Sequence, residues 1–199
     1  MHQTKKYMTT DNIIHRNFLE HLQTIKVIRK ELAEPIKKIS QILAKSLANG
    51  GTLFWCGNGG SAADSQHLAA ELVGRFKKNR KALRSLALTT DTSVLTCVAN
   101  DYSYDDIFAR QVEGLGRPGD VLIGISTSGH SENVLRAFKT AKDMNLMTIA
   151  MLGKDGGTAK DLADHALIIP SDSTARIQEV HILIGHILCE LIEKEMGLA

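Results

Sequence analysis

Five short apolar runs, each leading through a turn into a stretch of helical periodicity, constrain this 199-residue chain more than any other feature. They fall at residues 52–56, 85–89, 121–126, 147–152 and 166–170. Each is apolar nearly throughout instead of alternating, which is the pattern of a strand buried on both faces in a parallel sheet. Helical segments at 62–74, 104–114, 133–144 and 158–163 lie between the runs, and a long one at 175–196 closes the chain. Parallel neighbours require crossovers of this kind, so the pattern predicts an α/β fold, a doubly wound five-stranded parallel sheet. No repeat, low-complexity tract or linker divides the sequence, and one domain over 1–199 is expected, with 51–199 as its α/β core.

Residues 1–50 come before any strand. Thr10 or Asp11 can cap a first helix whose apolar positions Ile14, Phe18, Leu22, Ile25 and Leu32 recur at helical spacing. Pro35 marks the start of a second helix with Ile36, Ile39, Leu43 and Leu47 as its buried stripe, ended by Asn49-Gly50-Gly51. Two apolar stripes with no strand yet to cover predict packing on the core or self-association.

A content of 43% hydrophobic and 23% charged residues is that of a globular protein and excludes disordered and fibrous classes. The net charge of +2 is too small to imply a nucleic-acid partner, and the basic run at 77–81, without interleaved aromatics, reads as a solvated loop. Cys56, Cys97 and Cys189 are scattered in apolar surroundings, which predicts reduced, buried thiols and a cytoplasmic home. No run approaches the roughly 18 apolar residues of a membrane span. The polar lead at residues 1–12 has no apolar signal core. The expected protein is neither exported nor membrane-embedded.

In doubly wound sheets ligands bind beyond the carboxyl ends of the strands. After the first run comes Gly57-Asn58-Gly59-Gly60-Ser61, where the glycines allow positive φ and close backbone approach, Asn58 and Ser61 offer donors, and Ser61 can cap the helix that follows. An anion at that helix start meets free N–H groups. After the third run, Ser126-Thr127-Ser128-Gly129-His130-Ser131 leads into a helix and forms a cup of hydroxyls suited to a phosphate group. The chain has neither a Walker lysine nor the third glycine of a dinucleotide fingerprint, so a small phosphorylated molecule is the expected ligand. Asn100 and Asp101, read as a strand-end loop, could orient sugar hydroxyls, although alone the pair is also a turn signal.

His67 and Glu71 stand four apart on the helix after the glycine turn, so both project from one face and could share a divalent metal ion. The same spacing also describes a solvated surface pair. The last helix carries Gln178, His181 and His186 among apolar residues, where a histidine needs a partner; helical geometry does not rank the two histidines.

Taken together, GNGGSA, QHLAAE, AND, GISTSGHSENV, GKDGG and ARIQEVHILIGH resemble the sugar-isomerase (SIS) domain family, and within it the phosphoheptose isomerases, over essentially the whole chain. The resemblance implies a SIS-type, flavodoxin-like fold and conversion of sedoheptulose 7-phosphate to a manno-heptose 7-phosphate, the first step of ADP-heptose synthesis for the lipopolysaccharide core. It implies one Zn2+ per subunit bound by residues matching His67, Glu71, Gln178 and His186, with Glu71 and His186 also the acid/base pair. It implies a substrate site of Asn58, Gly59, Gly60, Ser61, Asn100, Asp101, Ser126, Thr127, Ser128, Ser131 and Gln178, and a homotetramer with shared active sites. The competing resemblance is to a non-catalytic SIS protein that binds the bacterial replication initiator; that branch lacks the counterparts of Glu71 and His186, and this chain has both. Some isomerases carry an acidic residue just before the RIQ segment, where this chain has Ala175, with Asp172 three residues earlier.

Overall fold

The computed structural model describes residues 10–198. The expectation about the polar lead therefore falls largely on residues 1–9, outside the described part. Two helices, α1 (Thr10–Glu31) and α2 (Ala33–Ala48), precede β1 (Leu53–Gly57) and α3 (Gly60–Val73). There follow β2 (Ser85–Ala87), α4 (Thr92–Asp101), a 3-10 turn (Tyr104–Asp106), α5 (Ala109–Leu115), β3 (Val121–Ser126) and α6 (Glu132–Asp143). The chain then runs through β4 (Met147–Gly153), α7 (Ala159–Leu162), β5 (His165–Ile169) and α8 (Thr174–Glu195).

All five strands are parallel, in the order β2-β1-β3-β4-β5. This is the flavodoxin-like order, with its switch point between β1 and β3. Strand side chains alternate between two cores. Leu53, Trp55, Ile123, Ile149 and Met151 face α2, α3 and α8, while Phe54, Cys56, Leu122, Ala150 and Leu152 face α5 and α6. Trp55 is fully buried and donates its indole N–H to Ser85 Oγ at 2.9 Å.

The local chemistry departs from expectation at several points. β2 stops at Ala87, short of the predicted 89, and α2 begins before Pro35, which sits in its first turn. Residues 92–101 form a helix, started by Asp91, whose carboxylate accepts from the Val94 amide. Its β-branched sequence, TSVLTCV, hid that helix. Asn100 and Asp101 are accordingly the end of a helix, not a strand-end loop. The helix expected over 104–114 is broken into the 3-10 turn and α5. Cys97 is exposed and donates to Asp101 at 3.4 Å, against the expectation of burial; Cys56 and Cys189 are buried. Along α1 the predicted stripe is largely open, with Ile14, Phe18 and Leu22 exposed.

Candidate active site

Polar side chains gather in two places, one at the carboxyl ends of β1 and β3 and the other part-way along α3 and α8. The first is the turn entering α6. Ser126 Oγ lies 3.1 Å from Ser131 Oγ and 3.5 Å from Ser128 Oγ, and it accepts from the Gly129 amide at 3.1 Å. The His130 amide donates to Ser128 Oγ at 3.2 Å. Three hydroxyls and the Gly129 and His130 amides thus converge in one turn just before α6, with Thr127 partly exposed in its middle. His130 is exposed, and its ring meets Thr158 Oγ1 at 3.1 Å.

The turn after β1 closes against this loop. Asn58 and Asn133 exchange amide hydrogen bonds of 2.9 and 2.8 Å, and Tyr104 donates to Asn58 Oδ1 at 3.1 Å. Asn133, 2% exposed on α6, and Tyr104 were not singled out in the sequence, where a lone Asn after SE and a Tyr beside Asp carry no signal. Of Gly57, Gly59 and Gly60, only Gly59 takes positive φ, at 54°. Gly60 begins α3 and is small for another reason: a methyl there would overlap the side-chain amide of Gln178. Ser61 lies inside the first turn and is buried, so Gly59, not Ser61, occupies the cap.

The second group unites α3 and α8. His67 Nε2 and His186 Nε2 are 2.8 Å apart, and Glu71 Oε1 is 3.3 Å from His67 Nε2. One ligand atom from each of His67, Glu71 and His186 lies within 4.8 Å of the others. Two imidazoles and a carboxylate so arranged suit a divalent ion of borderline softness such as zinc. The helices approach closely because position 185 is glycine; a methyl there would overlap Leu68 of α3. Gln178, partly exposed, packs against Gly60 at the start of α3, about two turns before His67.

The two histidines of α8 have different fates. His181 is fully buried, bonds the Leu152 carbonyl at 3.0 Å, and burial lowers its pKa to about 4. It is a core histidine. Asp64, one turn before His67, is a residue the sequence reading missed: it is 8% exposed and its Oδ2 finds no hydrogen-bond partner among the described residues. Burial raises its pKa to about 6, against the opposing pull of His67.

Other expected members stand apart. Asn100 donates to Asp101 at 2.8 Å, both are exposed, and neither bonds the serine turn or the histidine cluster. Asp101 is held below its ordinary pKa first by Asn100 and then by Cys97. Asp172 is exposed before α8 and makes no side-chain bond among the described residues. The basic run at 77–81 is not a purely solvated loop: the Arg80 side chain is 2% exposed and paired with buried Glu193 at 2.9 Å.

Comparison with known proteins accounts for this arrangement. Residues 17–153 match the SIS domain, and the chain belongs to that family. It is 54% identical over 187 residues to phosphoheptose isomerase of Helicobacter pylori strain P12, spanning 94% of this chain and 97% of that one. To phosphoheptose isomerase of a Nitratiruptor species it is 57% identical over 181 residues, with 91% and 97% covered. The solved phosphoheptose isomerase of Neisseria gonorrhoeae superposes with a TM-score of 0.89 at 43% identity, covering 94% of this chain and all of the other. Within the SIS family the chain falls among the phosphoheptose isomerases, and it is an isomerase enzyme.

Proposed function

We propose that the enzyme interconverts sedoheptulose 7-phosphate and D-glycero-D-manno-heptose 7-phosphate, supplying ADP-heptose synthesis for the lipopolysaccharide core. The observation that carries this reading is the meeting of His67, Glu71 and His186 between α3 and α8, in a chain that also builds a hydroxyl cup at the turn entering α6. A phosphorylated ketose needs both an anchor for its phosphate and an acid/base pair near C1 and C2. Ser126, Thr127, Ser128 and Ser131, with the amides at the start of α6, hold the phosphate. Asn58, Gly59, Gly60 and Ser61 line the sugar, and Asn133 fixes the Asn58 amide. Asn100 and Asp101 keep a place in this proposal only as an outer contact.

His67, Glu71, Gln178 and His186 would hold Zn2+. When bound, such an ion supplies Lewis acidity at the C1 and C2 oxygens. Glu71 and His186 move the protons: a base removes hydrogen from C1 of the ketose, an enediol results, and the proton returns at C2. Glu71 Oε1 faces His67, whereas Oε2 takes no hydrogen bond among the described residues, which favours one oxygen as ligand and the other as base. The glutamate and the second histidine also argue against the non-catalytic, initiator-binding reading.

The open stripe of α1 and an apolar groove of about 300 Å³ between α1, α2 and α8, lined by Ile25, Ile28, Leu183 and Ile187, support assembly into a homotetramer with shared active sites. On this reading the enzyme works in the cytoplasm on a small substrate, without a nucleic-acid or membrane partner; no described helix is long and apolar enough to cross a membrane. An isomerase assay on sedoheptulose 7-phosphate, with and without chelator, tests the reading. Turnover lost on chelation and restored by Zn2+ is expected; no turnover with Zn2+ present would overturn it.

A further inference from the structure

The segment between α3 and β2 is tied down by a side chain of the last helix. Glu193, in the final turn of α8, is fully buried. Its carboxylate accepts from the amides of Phe76, Lys77 and Lys78 at 3.2, 3.1 and 3.4 Å and from Arg80 Nε at 2.9 Å. Burial alone would raise its pKa, but the Lys77 and Phe76 amides and Arg80 outweigh it and hold the carboxyl below the ordinary range. Arg80 in turn donates to the carbonyls of Glu71, Leu72, Gly74 and Lys81, which include the end of α3. Carbonyls in the last turn of a helix lack partners within it, and the guanidinium satisfies them here.

One ion pair therefore clips the end of the helix bearing His67 and Glu71 to the helix bearing His186. It also fixes Phe76, whose ring lies stacked on the His186 imidazole, with centroids 5.6 Å apart and an interplanar angle of 12°. His67 meets that imidazole edge-on, at 5.0 Å and 78°. His186 is bracketed: Phe76 covers it on one side and His67 on another.

We propose that Arg80, Glu193 and the Phe76 they hold are positioning residues, which set the separation of α3 and α8 and the orientation of the His186 ring in the metal and proton-transfer site. Nothing in this role requires contact with substrate. It rests on the proposed metal reading of His67, Glu71 and His186, and it deepens that reading. Partners that orient a ligating histidine typically change metal affinity by about 10- to 100-fold when removed.

The test compares wild type with Phe76→Leu, Phe76→Tyr and Glu193→Gln. Zn2+ affinity is read by competition with a chromophoric chelator, coordination by the visible absorption of the Co2+-loaded protein, and kcat and KM on sedoheptulose 7-phosphate. Phe76→Leu is expected to bind Zn2+ about 10-fold more weakly, to shift the Co2+ bands and to lower kcat with KM little changed. Phe76→Tyr keeps the stacked ring and restores all three. Glu193→Gln should lose affinity in the same direction, together with thermal stability. Should Phe76→Leu fail to fold, Phe76→Met is read in the same way. A Phe76→Leu protein matching wild type in affinity, spectrum and kcat overturns the positioning role alone; wild type that takes up no Zn2+ overturns the metal reading and this role with it.

Discussion

The serine turn and the histidine cluster are made in different ways. The turn is contiguous: Ser126, Ser128 and Ser131 come from one β–α connection, and their hydroxyls meet because a short loop before a helix leaves them nowhere else to point. The cluster is assembled from α3 and α8, with His67 and His186 separated by 119 positions in sequence. Its geometry depends on groups other than the ligand side chains: a glycine at 185, the Arg80–Glu193 clip and the packing of both helices on the sheet. On the proposed reading, binding is built locally here and chemistry globally.

Substitutions can break or sharpen that contrast. The largest effect is expected at the cluster. Glu71→Gln removes the proposed proton-transfer group and should lower kcat by about 1,000-fold, some 4 kcal/mol in the barrier, with KM little changed. Steady-state kinetics on sedoheptulose 7-phosphate checks this, and a kcat near wild type would remove Glu71 from the chemistry.

Next comes a pH effect beside the cluster. The folded-state pKa of Asp64 is raised to about 6 from 3.8, so the folded protein binds this proton more tightly than the unfolded chain. Its contribution favours folding below about pH 4 and is lost as pH rises through about 6. Asp64→Asn should therefore gain, relative to wild type, about 2 kcal/mol of metal-free stability at pH 8 compared with pH 4, somewhat less than the full shift because solvent screens part of it. His181 works in the opposite sense: with a pKa lowered to about 4, its stability is present above about 6.5 and is lost as pH falls through 4. With Asp64 replaced, that acid slope should stand out in urea denaturation curves.

Gly185→Val tests the approach of the two helices. Overlap with Leu68 should cost about 2 kcal/mol of stability and weaken Zn2+ binding, while leaving phosphate affinity intact. The smallest effect belongs to the cup. Ser128→Ala removes one of several donors and should raise KM by several-fold, about 1 kcal/mol, without changing kcat. If Ser128→Ala lowered kcat as much as Glu71→Gln does, the division between local binding and convergent chemistry would fall.

The same division decides what was legible in the sequence. The five parallel strands, the order of helices and the serine turn follow from apolar runs and short-range turn chemistry. The His67–Glu71 pair was visible as an i,i+4 spacing, but its partner on α8 was not: the helical wheel could not rank His181 and His186, and only the family resemblance chose His186. Structure supplies the reason, since His181 faces the Leu152 carbonyl inside the core. Residues 92–101 were missed because their β-branched run looks like a strand and the Asp91 cap acts through a single side chain. Arg80 was hidden in a basic run that reads as solvated, because burial of one guanidinium among four exposed neighbours depends on a glutamate 113 residues away.

The chain's sole tryptophan, Trp55, lies in β1, two residues before the glycine turn and wholly screened from water. Its indole is tied to Ser85 on the neighbouring edge strand. Intrinsic fluorescence therefore comes with an optical probe already installed inside the sheet, one strand from its edge: emission should move to longer wavelength only when β1 itself opens to solvent, separating global unfolding from changes confined to the outer helices.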